Sequence, residues 1–167
     1  ALARWHNINS QIESACEPSP SSPALICSEV MLDKAIEDAH TFQTTLFPDA
    51  RIEYLIGLSH RYAGRTEKAV AHYKRAVAQD PERQDAWHDL GETYLSQGRY
   101  DEARVAFEHV SALVSSGSHS WIGPWRLGEI AAHQNDPDTF EEHMREALRR
   151  GFSFNQIRGL ANWRDFY

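Results

Sequence analysis

Between residues 86 and 110 the apolar side chains fall into two stripes divided by a glycine. Ala86, Trp87, Leu90, Gly91, Tyr94 and Leu95 recur at three- and four-residue spacing, Gly98 interrupts, and Tyr100, Ala103, Phe107 and Val110 resume the spacing. That period places one face of each of two helices against a common core. Gly91 stands inside the first stripe, where glycine costs about 1 kcal/mol against alanine, so its backbone is expected to lie under another helix. Gly91 and Ala103 thus mark the predicted crossing of two helices.

The pattern recurs. Shifted back by 34 residues, Gly57 falls on Gly91, Gly64 on Gly98, Ala69 on Ala103 and Tyr73 on Phe107. Shifted forward by 37, Leu127 falls under Leu90, Gly128 under Gly91, Met144 under Phe107 and Ala147 under Val110, with "SSGSHS" absorbing the three extra residues as a loop. Punctuation agrees with the repeat. Pro81 closes the first unit, Thr66 and Asp136 with Pro137 read as caps that open second helices, and Gly151 follows the basic turn "LRR". Six helices are therefore expected between residues 50 and 150. One helical hairpin of this size cannot bury both of its stripes, so the units are expected to stack.

The flanks extend the series. Leu32, Ala35, Ile36, Ala39, Phe42 and Leu46 keep a helical period, and Ala35 lies one repeat length before Ala69. The partner of that helix is expected over residues 2–15, with Leu2, Trp5, Ile8 and Ile12 in one stripe. Beyond residue 150, a capping box from Ser153 to Gln156 and then Ile157, Leu160 and Trp163 predict a helix that closes the array. The expected organisation is an N-terminal hairpin over 1–49, units over 50–83, 84–117 and 121–150, and a capping helix over 151–167.

These residues resemble a family. Trp87, Leu90, Gly91 and Tyr94, followed by Ala103 and Phe107, are similar to the signature of the tetratricopeptide repeat. The first unit keeps Gly57, Ala69, Tyr73 and Pro81 but has Glu53 and His60 where the signature has Trp and Tyr. The third carries Pro124, Ala131 and Phe140 in place of Trp, Tyr and the small Ala, which implies a wider helix crossing. The resemblance covers about residues 50–150 and implies an all-α fold, a right-handed superhelix of stacked antiparallel helix pairs with a concave groove.

Composition narrows the chemistry. The 167 residues are 41% hydrophobic and 25% charged, suited to one domain with a real core. Seventeen Lys and Arg against 24 Asp and Glu give a net charge of −7, and the basic residues are not segregated, which argues against a nucleic-acid partner. No run of 18 apolar residues predicts membrane insertion, and no basic leader precedes an apolar stretch at the start. Cys16 and Cys27 flank the Pro/Ser-rich "EPSPSSPALI", which reads as a loop. Two readings stand: a disulfide tying the first hairpin, as in an exported or periplasmic protein, or two buried free thiols in a cytoplasmic one. The nine histidines show no HExxH and no pair four apart on one helix; His40, His60, His72, His88, His109, His133 and His143 are spread one per helix, as solvated or hydrogen-bonded residues would be. "GLSHRYAG" lacks the G-x-S-x-G elbow, and neither Gly57 nor Gly64 precedes G-K-[ST]. No enzyme, metal or cofactor is expected.

What remains is a surface. By the resemblance, the groove wall consists of first-helix positions beside the packing stripe: Tyr54, Leu58, Arg61 and Tyr62, then His88, Glu92 and Ser96, then Trp125, Glu129 and His133. Each is also a residue that plain helix surface carries. Aromatics beside carboxylates suit a partner segment with apolar and basic side chains. Glu92 and Glu129 share one position of consecutive units and are expected on one wall. Chaperone-binding members resemble a clamp in which Lys and Asn hold a terminal carboxylate; here those positions are Tyr54 and Leu58, so no carboxylate clamp is implied. The expected role is a scaffold or adaptor that binds a protein partner. The alternative is an assembly piece that self-associates through terminal aromatics such as Trp163, Phe166 and Tyr167.

Overall fold

The computed structural model describes residues 2–18, 25–45 and 49–153. The expected capping helix beyond Ser153, the self-contact at Trp163, Phe166 and Tyr167, and the side chains of Leu2, Trp5, Phe42 and Leu46 lie outside the described parts. Among the described residues the fold is all-α, with one short ribbon between its first two helices. In chain order the elements are α1 (Leu2–Ala15), β1 (Cys16–Pro18), β2 (Leu25–Cys27), α2 (Glu29–Thr45), α3 (Ala50–Tyr62), α4 (Thr66–Gln79), α5 (Gln84–Ser96), α6 (Tyr100–Leu113), α7 (Ile122–His133) and α8 (Pro137–Arg149). They divide into two compact units, Ala1–Thr93 and Tyr94–Tyr167, with the boundary inside α5.

In the first unit the helix periods become a core. Ile8, Ile12 and Ala15 of α1, Leu32, Ala35, Ile36 and Ala39 of α2, and Ile52, Leu55 and Ile56 of α3 form one cluster. The small positions sit where helices meet: Ala35, Ala69 and, in the second unit, Ala103 are each fully buried. A Cβ on Gly57 would lie 2.7 Å from two ring atoms of Tyr73 and 3.3 Å from the Ala69 carbonyl oxygen. Gly57 is the equivalent of Gly91 one repeat earlier, and glycine is needed there because α4 crosses over its backbone.

The stretch between Cys16 and Cys27 is more ordered at its ends than a loop. β1 and β2 pair antiparallel with Cys16 opposite Cys27, and the two cysteines are joined in a disulfide. The Ser28 N–H donates to the Ala15 carbonyl at 2.7 Å and closes the base of the ribbon. Joining the two chain ends fixes their register, and extended pairing then satisfies backbone groups that a free loop would leave to water.

The helix-to-helix turns repeat with the sequence. Gly64 and Gly98 have φ of +70° and +68°, and Asn135, 37 residues after Gly98, takes φ 55° in their place. The same bonds follow in each turn: Arg65 N–H to His60, Arg99 N–H to Tyr94, and Asp136 N–H to Ala131. These are left-handed helix caps, and asparagine is the residue that best tolerates the conformation after glycine. One expected cap is corrected. Thr66 is the first residue of α4 and Arg65 its N-cap, because the left-handed Gly64 already brings the Arg65 N–H back to α3. Asp136 does cap α8, accepting from the Thr139 N–H with Pro137 at the helix start.

The second unit packs Ala103, Ala106, Phe107 and Val110 of α6, Leu127, Ile130 and Ala131 of α7, and Met144 and Ala147 of α8 as its buried residues. The crossing at Gly128 is softer than at Gly57: an added Cβ would meet Met144 Sδ at 3.1 Å and Cγ at 3.3 Å. The "SSGSHS" insertion is a built turn, with Ser120 buried and its hydroxyl donating to Gly117 O at 2.8 Å. Arg150 ties that turn to α6, donating to the Ser120 carbonyl at 3.5 Å and to the Ser111 carbonyl at 2.9 Å.

Candidate functional site

Six of the ten expected groove residues lie in the first unit and four in the second. In the first unit, α3 and α5 bring Tyr54, Arg61 and His88 onto one carboxylate that the sequence pattern did not single out, Asp89. Tyr54 Oη donates to Asp89 Oδ2 at 3.1 Å, Arg61 Nη1 donates to Oδ1 at 3.0 Å, and His88 Nδ1 lies 3.3 Å from the same oxygen. Burial alone would raise the Asp89 pKa; the His88 hydrogen bond, the Arg61 charge and the Tyr54 hydroxyl bring it below the usual carboxylate range. Burial and the Asp89 charge push the Tyr54 phenol upward, so it stays a neutral donor. No signal in the helix period marks Asp89, which stands between His88 and Leu90 as an ordinary polar position.

The remaining members of this face differ in depth. Leu58 is half-buried against the core cluster, while Tyr62 is exposed. His88 Nε2 lies 3.7 Å from Glu92 Oε1. The Arg61 and His88 side chains keep 40% and 36% of their surface exposed, against 13% for Asp89 and 18% for Glu92, so the carboxylates form the floor and the aromatic and cationic groups the rim.

In the second unit the four residues do different work. The Trp125 ring is buried with Met144, Ala147 and Phe152, and its plane runs along that of Phe152 at a centroid distance of 6.2 Å. The Arg126 guanidinium lies 4.1 Å over the Trp125 ring and donates to Glu129 at 2.6 Å, which leaves the Glu129 side chain 10% exposed. His133 is exposed and stacks on Tyr100 at 5.1 Å, and Ser96 is exposed at the end of α5. Trp125 is thus an anchor of the core here, and Glu129 is engaged by an arginine of its own helix.

Among the described residues no group of three or more His, Cys, Asp or Glu is placed to hold a metal ion, and no helix is long and apolar enough to cross a membrane.

Comparison with known proteins agrees with this architecture. Residues 54–110 match the family model described as tetratricopeptide repeat. A stretch of 64 residues is 39% identical to Superkiller complex protein 3 of Mus musculus, covering 38% of this chain. The chain spans about 4% of the length of that relative. The crystal structure of MamA superposes with a TM-score of 0.65 at 22% identity, over 72% of this chain and 68% of MamA. The crystal structure of YrrB, a tetratricopeptide repeat protein with an unusual peptide-binding site, superposes with a TM-score of 0.61 at 16% identity, over 74% of this chain and 62% of YrrB. At these identities the two structures are like this chain in fold.

Proposed function

We propose that the α3–α5 face of the first unit holds a segment of a partner protein, in a scaffold or adaptor role; the match of residues 54–110 to the tetratricopeptide repeat family model supports this reading. The observation that carries the reading is the Asp89 constellation. Three side chains from two helices are fixed on one carboxylate before any partner arrives, and fixing side chains in advance lowers the ordering cost of binding. Tyr54 and Tyr62 supply amphipathic contact area, and Leu58 gives an apolar floor. Glu92 and Asp89 place negative charge below the rim, which suits a segment with basic side chains reaching past apolar ones. That YrrB, which shares this fold, has a peptide-binding site is consistent with such a role.

The test is positional. A photo-cross-linking residue at position 62 should capture the partner found by pull-down with the full chain. The same residue at Val105, exposed on α6, should not. Capture at 105 and not at 62 would place the contact elsewhere.

A further inference from the structure

We infer that His60, buried among His72, His40 and their charged neighbours, is an acid-sensitive release built into the first unit, which loosens α3 from α2 and α4 as the medium becomes acidic. The inference goes beyond partner binding and stands whether or not the face is occupied.

The sequence disperses these histidines one per helix; the fold gathers them. His60 is 6% exposed, its ring centroid lies 5.3 Å from that of His72, and His72 lies 5.8 Å from His40. Among the described residues the Nδ1 of His60 makes no hydrogen bond. A neutral imidazole tolerates that position better than an imidazolium, which must be solvated or paired.

The charged groups around the ring give it little to pair with. Asp33 and His40 face the cluster from α2, Glu53 from α3, Lys68, His72 and Arg75 from α4, and Arg65 from the turn before α4. Both carboxylates already hold cations or donors. Glu53 accepts from His72 Nδ1 at 2.8 Å and from Arg75 Nε at 3.0 Å. Asp33 is bridged by Arg65 through two hydrogen bonds. A proton added to His60 would place another positive charge beside Lys68 and Arg65.

The direction of the pH effect follows. Burial first, then the charges of His72, Lys68, Arg65 and His40, push the His60 pKa from the ordinary 6.5 down to about 4. His40 moves the same way, by burial and then by His72. The unfolded chain therefore takes up these protons before the folded one does. The stability that His60 contributes is complete above about pH 6.5, is lost progressively as pH falls toward about 4, and changes no further below that. Since α3 carries Tyr54, Leu58, Arg61 and Tyr62, a bound segment would be released over the same interval; that consequence alone rests on the binding proposal.

The experiment uses the full chain with no partner. Melting temperatures of wild type and His60→Gln are measured at pH 7.5 and pH 5.0 by circular dichroism. Wild type should lose on the order of 5 °C more than His60→Gln between the two values. Equal losses would overturn the inference. Should His60→Gln not fold, titration of the wild-type His60 ring signal by NMR decides: a midpoint below about 6 supports the inference, and one at or above about 6 overturns it.

Discussion

At the scale of single residues, Gly57 and Gly128 occupy the same repeat position with unlike surroundings. The Tyr73 ring beside Gly57 is fully buried and has no room to retreat, whereas Met144 beside Gly128 is an unbranched thioether that changes rotamer cheaply. Gly57→Ala is expected to cost about 1 to 3 kcal/mol by overpacking. Gly128→Ala should stay within about 1 kcal/mol of wild type, since alanine also favours the helix by a similar amount. Denaturant midpoints of the two variants check this; equal costs would mean the two crossings are alike. The asymmetry was legible in outline, because Phe140 stands where Ala69 and Ala103 mark the closest approach. The caps were legible in part. Glycines 64 and 98 stood out at once, but Asn135 was not identified as their equivalent, because asparagine is equally at home in ordinary turns.

At the scale of elements, the ribbon between α1 and α2 shows how one covalent link changes local structure. Pro and Ser across residues 18–23 read as a loop, and loop-like composition does persist between the strands; the pairing at the ends needed the Cys16–Cys27 bond to fix its register. With a sequence separation of 11, that bond is expected to contribute about 3 kcal/mol by restricting the unfolded chain. Reducing agent should therefore lower the melting temperature of wild type and leave a Cys16→Ser, Cys27→Ser double variant unchanged. A wild-type melt indifferent to reductant would show that the hairpin is held by its apolar core alone. The third first-helix, α7, departs from expectation for a different reason. Trp125 follows the helix-facing pattern of a wall residue, but Phe152, beyond the repeat, packs against it and makes it a core residue.

At the scale of the whole molecule, periodicity revealed the repeat because helix packing is a local property, written every three to four residues. The constellations that carry chemistry were hidden because they join distant positions. Tyr54 and Asp89 are 35 residues apart, and His40, His60 and His72 come from three helices. Neither is a motif in the chain. Both follow only once α2, α3, α4 and α5 have been placed. The same distinction separates the two glutamates of the expected wall. Replacing Glu129 breaks its bond with Arg126 beside Trp125, so its effect would mix stability with binding. Glu92, beside His88 on the proposed face itself, is the probe of the two. Central to all of this is the claim that the α3–α5 face of the first unit is where a partner binds. The most direct test is the affinity, by isothermal titration, of the segment identified by cross-linking for wild type and for a Tyr62→Ala, Glu92→Gln variant. The expected result is a dissociation constant raised at least about tenfold, a flatter salt dependence and a melting temperature within a few degrees of wild type, as follows from the loss of interface contacts at exposed or half-buried positions. An unchanged dissociation constant in a variant that melts like wild type would contradict it.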